Sequence, residues 1–257
     1  MKVLLIGDTC EDRYFYGDVK RLSPEAPVPI LEYKRGVTSE GMVKNVYNNL
    51  KAFGIEIDLL TNEEEVIKTR FIDEKSNYQI LRSDEEPEIK PFSHQLPKNN
   101  YDALVISDYD KGFITQEKLF QISNSFVGPV FIDTKKQLGD WVRGVDFIKI
   151  NGVEYEKTKD TIDWGKFSDK LIITLGEKGC YFANKKENFF IEAFKLKDPV
   201  LDTTGAGDAF NGALAVGLSK DLDIKEILTF ANKVAAISTT KQGAAASMPS
   251  MEDLKNY

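Results

Sequence analysis

The chain has 257 residues, 42% hydrophobic and 29% charged, which suits one large α/β domain with a sizeable core and excludes disordered, collagenous and disulfide-scaffold classes. A formal net charge of −7 at pH 7 weighs against nucleic acid or an acidic membrane surface as a partner, though not against a nucleotide, whose phosphates backbone N–H groups can hold. Cys10 and Cys180 are the only cysteines and His94 the only histidine, which excludes a disulfide framework, a thiolate metal site, a Ser-His-Asp hydrolase and a His-ligated catalytic zinc.

The first apolar run, residues 3–6, is too short for a signal segment and ends in Gly7-Asp8. It is expected to be a buried strand of a cytoplasmic protein. Further strand-like runs follow at 55–60, 103–107, 130–133, 147–150 and 171–175, and helical periods at 43–53, 116–126, 207–218 and 224–240. No run reaches the length of a membrane span. Near-continuous apolar strands alternating with helices predict a mostly parallel central sheet flanked by helices, with ligands bound outside the carboxyl ends of its strands.

Two stretches break this rhythm. Residues 14–33 contain RLSPEAPVPILEY, and residues 68–82 read KTRFIDEKSNYQILR, two alternating runs around a turn. Each is expected to be an antiparallel ribbon added to the main sheet. Together they predict a small β lid, about 13–35 and 67–84, on a single domain spanning 1–257. Such a lid would cover a small-molecule substrate and offer a surface for a homodimer.

The segment richest in chemistry is DTTGAGDAF, residues 202–210. Gly205 and Gly207 let the backbone turn tightly, and a helix starting there points its unpaired N–H groups and positive dipole end into the turn. This makes an anion hole over Gly205, Ala206 and Gly207 suited to a phosphoryl group in transfer. A carboxylate at Asp208 would repel a phosphate, yet it can take the proton from an attacking hydroxyl. A Gly-rich turn capped by an aspartate is the plain structural alternative.

DTTGAGDAF resembles the signature of the ribokinase (PfkB) family of carbohydrate kinases. GDTCEDRYFYGDVKRLSPEAPVPILEY, IKTR, ILRSDEE, SDYDKG and IDTK resemble the heptose 7-phosphate kinase branch of that family. The resemblance implies a ribokinase-like fold, ATP and Mg²⁺ as cofactors, and Asp208 as catalytic base. It implies that Asn151 and Glu154, an NxxE pair, organise magnesium and phosphates, Glu154 through water; the same two residues also make an ordinary capping box. Thr174, Gly176 and Gly179 match the nucleotide loop, and Asn232 and Gly243 match positions around adenine and ribose. Asp202 and Thr204, with backbone near Gly243 and Ser247, match the K⁺ loop of some relatives.

On the sugar side, Asp12 matches the carboxylate that accepts bonds from sugar hydroxyls, and Gly41 and Asn45 match the family's motif of a glycine pair followed by an Asn. Lys68, Arg70, Arg82 and Lys111 are candidates to hold a phosphate at the far end of the sugar. The implied reaction is phosphorylation of a sugar hydroxyl, foremost the anomeric hydroxyl of a heptose 7-phosphate. The alternatives are another sugar or nucleoside kinase of the family, or a relative that binds ligands without turnover. Two departures stand out. Met42 replaces the second glycine and should obstruct a sugar approaching the helix start, with Lys44 where small residues are usual. Residues 60–66 run directly between strands, as if one βα unit were missing near residue 62. No HxGH motif is present, so no nucleotidyltransferase module is expected.

Overall fold

A computed structural model describes residues 1–97, 100–160, 171–218, 222–241, 249 and 251–257. The expected parallel strands are present as β1 (Lys2–Gly7), β4 (Glu56–Leu60), β7 (Ala103–Asp108), β8 (Val130–Thr134), β9 (Phe147–Asn151) and β10 (Leu171–Thr174). Residues on successive positions of β7 and β8 are all buried, as apolar strands covered on both faces should be. A ribbon that the βα rhythm did not announce extends the sheet, β11 (Gly179–Ala183) and β12 (Asn188–Glu192). The sheet runs β12-β11-β10-β9-β8-β7-β1-β4, parallel from β4 to β10 and antiparallel beyond.

β1 lies between β4, which follows it in this sheet, and β7, which comes later, so the strand order reverses at β1. In open α/β sheets the crevice at such a reversal, outside the carboxyl ends of the strands, is where ligands bind. Asp8, Tyr109, Lys135, Asn151 and Thr174 all stand at those ends in this chain.

Six helices are described: α1 (Val43–Ala52), α2 (Gln116–Ser125), α3 (Gly152–Thr158), α4 (Ala206–Leu218), α5 (Ile224–Ser238) and α6 (Met251–Asn256). α1 buries Val43, Val46 and Leu50, spaced as one helical face requires. Thr115 caps α2, and Asn151 with Glu154 and Asp223 with Glu226 close capping boxes on α3 and α5. α4 is apolar nearly all round and buried from Asp208 to Gly217, as a central helix must be. One core joins Val3, Leu5, Val105 and Phe131 of the sheet to Val46, Phe210, Leu214 and Leu228 of α1, α4 and α5. Among the described residues no helix is long and apolar enough to cross a membrane.

The chain divides into two compact units, residues 1–8, 42–62 and 89–257 in the first, and residues 9–41 and 63–88 in the second. The second carries β2 (Thr9–Leu22), β3 (Pro29–Met42), β5 (Ile67–Asp73) and β6 (Tyr78–Glu85) in a separate four-stranded sheet ordered β3-β2-β5-β6. This corrects the expectation that two ribbons extend the main sheet. They pair with each other through parallel β2 and β5 instead, so each shields an edge of the other. Between β4 and β5 there is no helix or strand, in keeping with a lost βα unit.

Candidate active site

Asp208 sits in the first turn of α4 and is 3% exposed. Gly205 precedes it with φ 80°, a backbone state that glycine alone adopts without cost. The turn is further fixed by the Ala206 N–H, which bonds Thr203 O at 3.3 Å, so of the expected anion hole that donor is already engaged. The Asp208 carboxylate accepts two hydrogen bonds, from Tyr109 Oη to Oδ1 at 2.6 Å and from Asn45 Nδ2 to Oδ2 at 3.0 Å. Burial pushes this carboxyl up to about 6, against the pull of Tyr109 and Asn45. A base poised near neutrality, with lone pairs still open on both oxygens, suits proton abstraction from a hydroxyl.

Asp208 forms part of the wall of a cavity of about 330 Å³ with Gly205, Gly207, Asn151, Thr174 and Gly176. Four further residues complete it that the sequence argument did not assign to the site: Tyr109, Asp133, Lys135 and Lys149. Lys149 is 2% exposed and its ammonium lies 3.0 Å from Asp133 Oδ2, an oxygen that Asn211 Nδ2 also meets at 2.6 Å. Burial would raise Asp133, but Lys149, Lys135 and Asn211 outweigh it and hold this carboxyl below the usual carboxylate range. A Cβ on Gly207 would stand 3.3 Å from Lys149 Nζ, so the glycine turn and the buried ammonium share one wall. Lys135 is kept protonated despite burial by Asp133 and Glu154. Two cations and the starts of α3 and α4 thus border one cavity, which is the electrostatic character of a polyphosphate site.

Glu154 is tied into its own helix start. Its carboxylate accepts from Asn151 N at 2.7 Å and Asn151 Nδ2 at 2.8 Å, and Lys135 Nζ stands 2.6 Å from Oε1. Oε1 is filled and Oε2 keeps one open lone pair, so this carboxylate fits a magnesium carried by a nucleotide and met through water. Among the described residues no cluster of three or more His, Cys, Asp or Glu could hold a metal by itself. Asp202 accepts from Thr204 N at 2.9 Å in an Asx turn; Gly243 and Ser247, the rest of the expected cation loop, lie outside the described residues. Gly179 and Asn232 meet elsewhere, at the backbone of β12. A Cβ on Gly179 would fall 2.1 Å from Ile191 O, and Asn232 Nδ2 donates to Ile191 O and Glu192 O, each at 3.3 Å. Neither lines the cavity.

In the second unit, register places Asp12, Lys68 and Asp84 side by side, and Tyr14, Arg70 and Arg82 in the next row of the same face. Arg70 donates to Asp12 at 2.5 Å and stacks 5.2 Å from the Tyr14 ring, while Arg82 forks onto Asp84 at 2.8 and 2.9 Å. Two arginines directly opposite each other repel, and an anion between them would relieve this. Gly41 is required by that face, since a Cβ there would meet Asp12 Oδ2 at 2.3 Å.

Lys111 belongs to the first unit, where its backbone N–H reaches Asp8 at 3.4 Å. Met42 caps α1 with φ 56° and ψ −127°, a state natural to glycine, and its side chain is 4% exposed. The departure from a glycine pair therefore costs backbone strain at the helix start.

Bifunctional protein HldE of a Nitratiruptor species is 30% identical to the chain over 304 residues, covering 100% of this chain and 64% of that protein. The chain thus spans slightly under two thirds of that relative's length. Among solved structures, the ribokinase of Thermotoga maritima superposes with a TM-score of 0.74 at 20% identity, over 99% of this chain and 98% of its own. Arabidopsis thaliana ribokinase complexed with ribose and ATP gives a TM-score of 0.75 at 16% identity, over 99% and 97%. These two likenesses carry the fold, which is ribokinase-like. Residues 45–251 match the profile of the pfkB family of carbohydrate kinases. Because that match takes in most of the chain, with the DTTGAGDAF turn inside it, the protein belongs to the pfkB family of carbohydrate kinases.

Proposed function

We propose that the chain is an ATP-dependent kinase that phosphorylates a hydroxyl of a sugar phosphate, foremost the anomeric hydroxyl of a heptose 7-phosphate. The observation that carries this reading is the buried Asp208 carboxylate beside the Gly205–Gly207 turn, on a cavity walled by Lys135 and Lys149. Asp208 takes the proton of the attacking hydroxyl at one of its open lone pairs. The α4 start and the two lysines stabilise charge on the phosphoryl oxygens, and Asn45 and Tyr109 hold the base in line. Magnesium carried by the nucleotide, when bound, neutralises phosphate charge; Glu154 is the residue that would meet its water.

Lys68, Arg70 and Arg82, in two adjacent rows on the face that carries Asp12, support a substrate with hydroxyls at one end and a phosphate at the other. The motif resemblance and the 30% identity to a protein named HldE point to the same substrate class. The opposite, odd-numbered face exposes Tyr33 and Leu81 around Phe15 and Phe71, which suits pairing of two copies in a cytoplasmic homodimer.

ADP release with Mg-ATP tests the reading against D-glycero-D-manno-heptose 7-phosphate, fructose 6-phosphate, ribose and adenosine. Turnover is expected on the heptose phosphate, with Arg70→Ala and Arg82→Ala each raising KM for the sugar at least tenfold and leaving KM for ATP unchanged. Turnover confined to ribose or adenosine would overturn the sugar-phosphate assignment, and ATP binding without turnover on any of the four would favour a non-catalytic relative.

A further inference from the structure

The loop that follows β7 is pinned from both sides. Asp8, wholly buried, accepts backbone N–H bonds from Tyr109 at 2.7 Å, Phe113 at 3.2 Å and Lys111 at 3.4 Å. Asp108 accepts from Asp110 N at 3.0 Å and Thr134 Oγ1 at 2.6 Å, and Lys136 bridges Asp108 and Asp110 at 2.6 and 3.1 Å. Asp110 and Gly112 both take positive φ, 58° and 105°. Glycine takes positive φ without cost, so the strain lies at Asp110, and these bonds hold the loop around it. The loop's product is the placement of a single phenol, with Tyr109 Oη 2.6 Å from Asp208 Oδ1 and the Lys135 ammonium 5.6 Å from the ring centroid.

We infer that Tyr109 is a positioning residue for Asp208, orienting its carboxylate and favouring the ionised form, and that Asp8 acts through the 109–113 backbone to keep Tyr109 there. The inference rests on Asp208 being the base of the proposed reaction. A phenol is a far weaker acid than a carboxyl, so its proton stays on Tyr109 and the bond is strongest when Asp208 is charged. The other groups facing Asp208 are Asn45 from α1, Asp133 and Lys135 from the end of β8, and Lys149 from β9. Asn45 supplies a second donor, Lys149 favours the anion and Asp133 opposes it. Losing the phenol tips this balance towards the protonated acid, which cannot act as a base.

Carboxyl ¹³C NMR of aspartate-labelled protein reads this directly, the Asp208 resonance being assigned by its loss in Asp208→Asn. Tyr109→Phe should move the Asp208 titration midpoint up by about one pH unit, and the acid limb of kcat/KM should move with it. Asp8→Asn should move both the same way by less, and should add nothing in the Tyr109→Phe background. An unmoved midpoint in Tyr109→Phe, with Asp208→Asn inactive, overturns the inference and leaves the base intact. A further shift from Asp8→Asn in the Tyr109→Phe background overturns the part given to Asp8. Retained transfer in Asp208→Asn instead removes the base itself, whatever Tyr109→Phe does.

Discussion

Asp208→Asn is expected to lower kcat by about 10²–10⁴-fold while leaving ATP affinity within a few-fold of wild type. The amide keeps the size and the acceptor for Tyr109 but cannot take a proton. Asn45 Oδ1, which has no donor in the structure, can receive the new amide N–H if its own amide turns over. The same substitution should stabilise the fold. Asp208 titrates near 6 instead of in the usual carboxylate range, so between those limits the folded chain holds a proton that the unfolded chain has released. Stability therefore falls as pH rises through that window, and the penalty is complete above it. Lifting it should stabilise Asp208→Asn by on the order of 2 kcal/mol at pH 7, a difference that fades towards pH 4. Urea midpoints at the two pH values check this, and an unchanged difference would mean that the carboxylate is not held out of water. Wild-type turnover should fall as pH drops through about 6, where the base protonates.

Lys149→Met should cost about 3–5 kcal/mol of folding stability. Lys149 and Asp133 are 2% and 3% exposed, on neighbouring strands, and their ion pair is almost wholly buried in the cavity wall. Removing the ammonium leaves a buried carboxylate with Asn211 and, at 3.9 Å, Lys135. That carboxylate must then either stay charged at high cost or take up a proton. Because the wild-type Asp133 is held below its ordinary range, its share of stability is present at neutral pH and is lost only as pH falls below that range. In Lys149→Met burial instead favours the neutral acid, so Asp133 takes up a proton as pH falls and the deficit should shrink between pH 7 and pH 4. Adding Asp133→Asn, which keeps an acceptor for Asn211, should recover most of the loss at pH 7. If the double variant is as unstable as the single one, the pair is not what holds this wall.

How far the sequence speaks depends on the type of signal. Apolar runs such as VLLI and ALVIS locate the parallel strands within a residue or two, because a strand buried on both faces tolerates little else. The β11–β12 ribbon went unannounced although YFANKKENFFIE alternates around a polar turn; its five-residue strands fall below what a βα rhythm highlights. The two inserted ribbons were visible as ribbons, but which sheet they joined was not. Parallel pairing of β2 with β5 is a long-range choice that local patterning does not encode.

At the site, the glycine turn and Asp208 were legible because helix-start chemistry is local. Tyr109, Lys135, Lys149 and Asp133 were not, since each takes its place only when β7, β8 and β9 lie side by side. One signal was available. FIKIN and VFIDT are neighbouring buried strands in which the only charges are one lysine and one aspartate, and two opposite charges inside such strands have only each other to meet.

The most direct test of the account is a ³¹P NMR time course of the wild-type protein with Mg-ATP and a heptose 7-phosphate. Phosphoryl transfer to the sugar predicts loss of the γ-phosphate signal, equimolar ADP, and a new phosphomonoester resonance beside that of the 7-phosphate, all absent with Asp208→Asn. Appearance of inorganic phosphate alone, or formation of the new ester at an equal rate with Asp208→Asn, would contradict it.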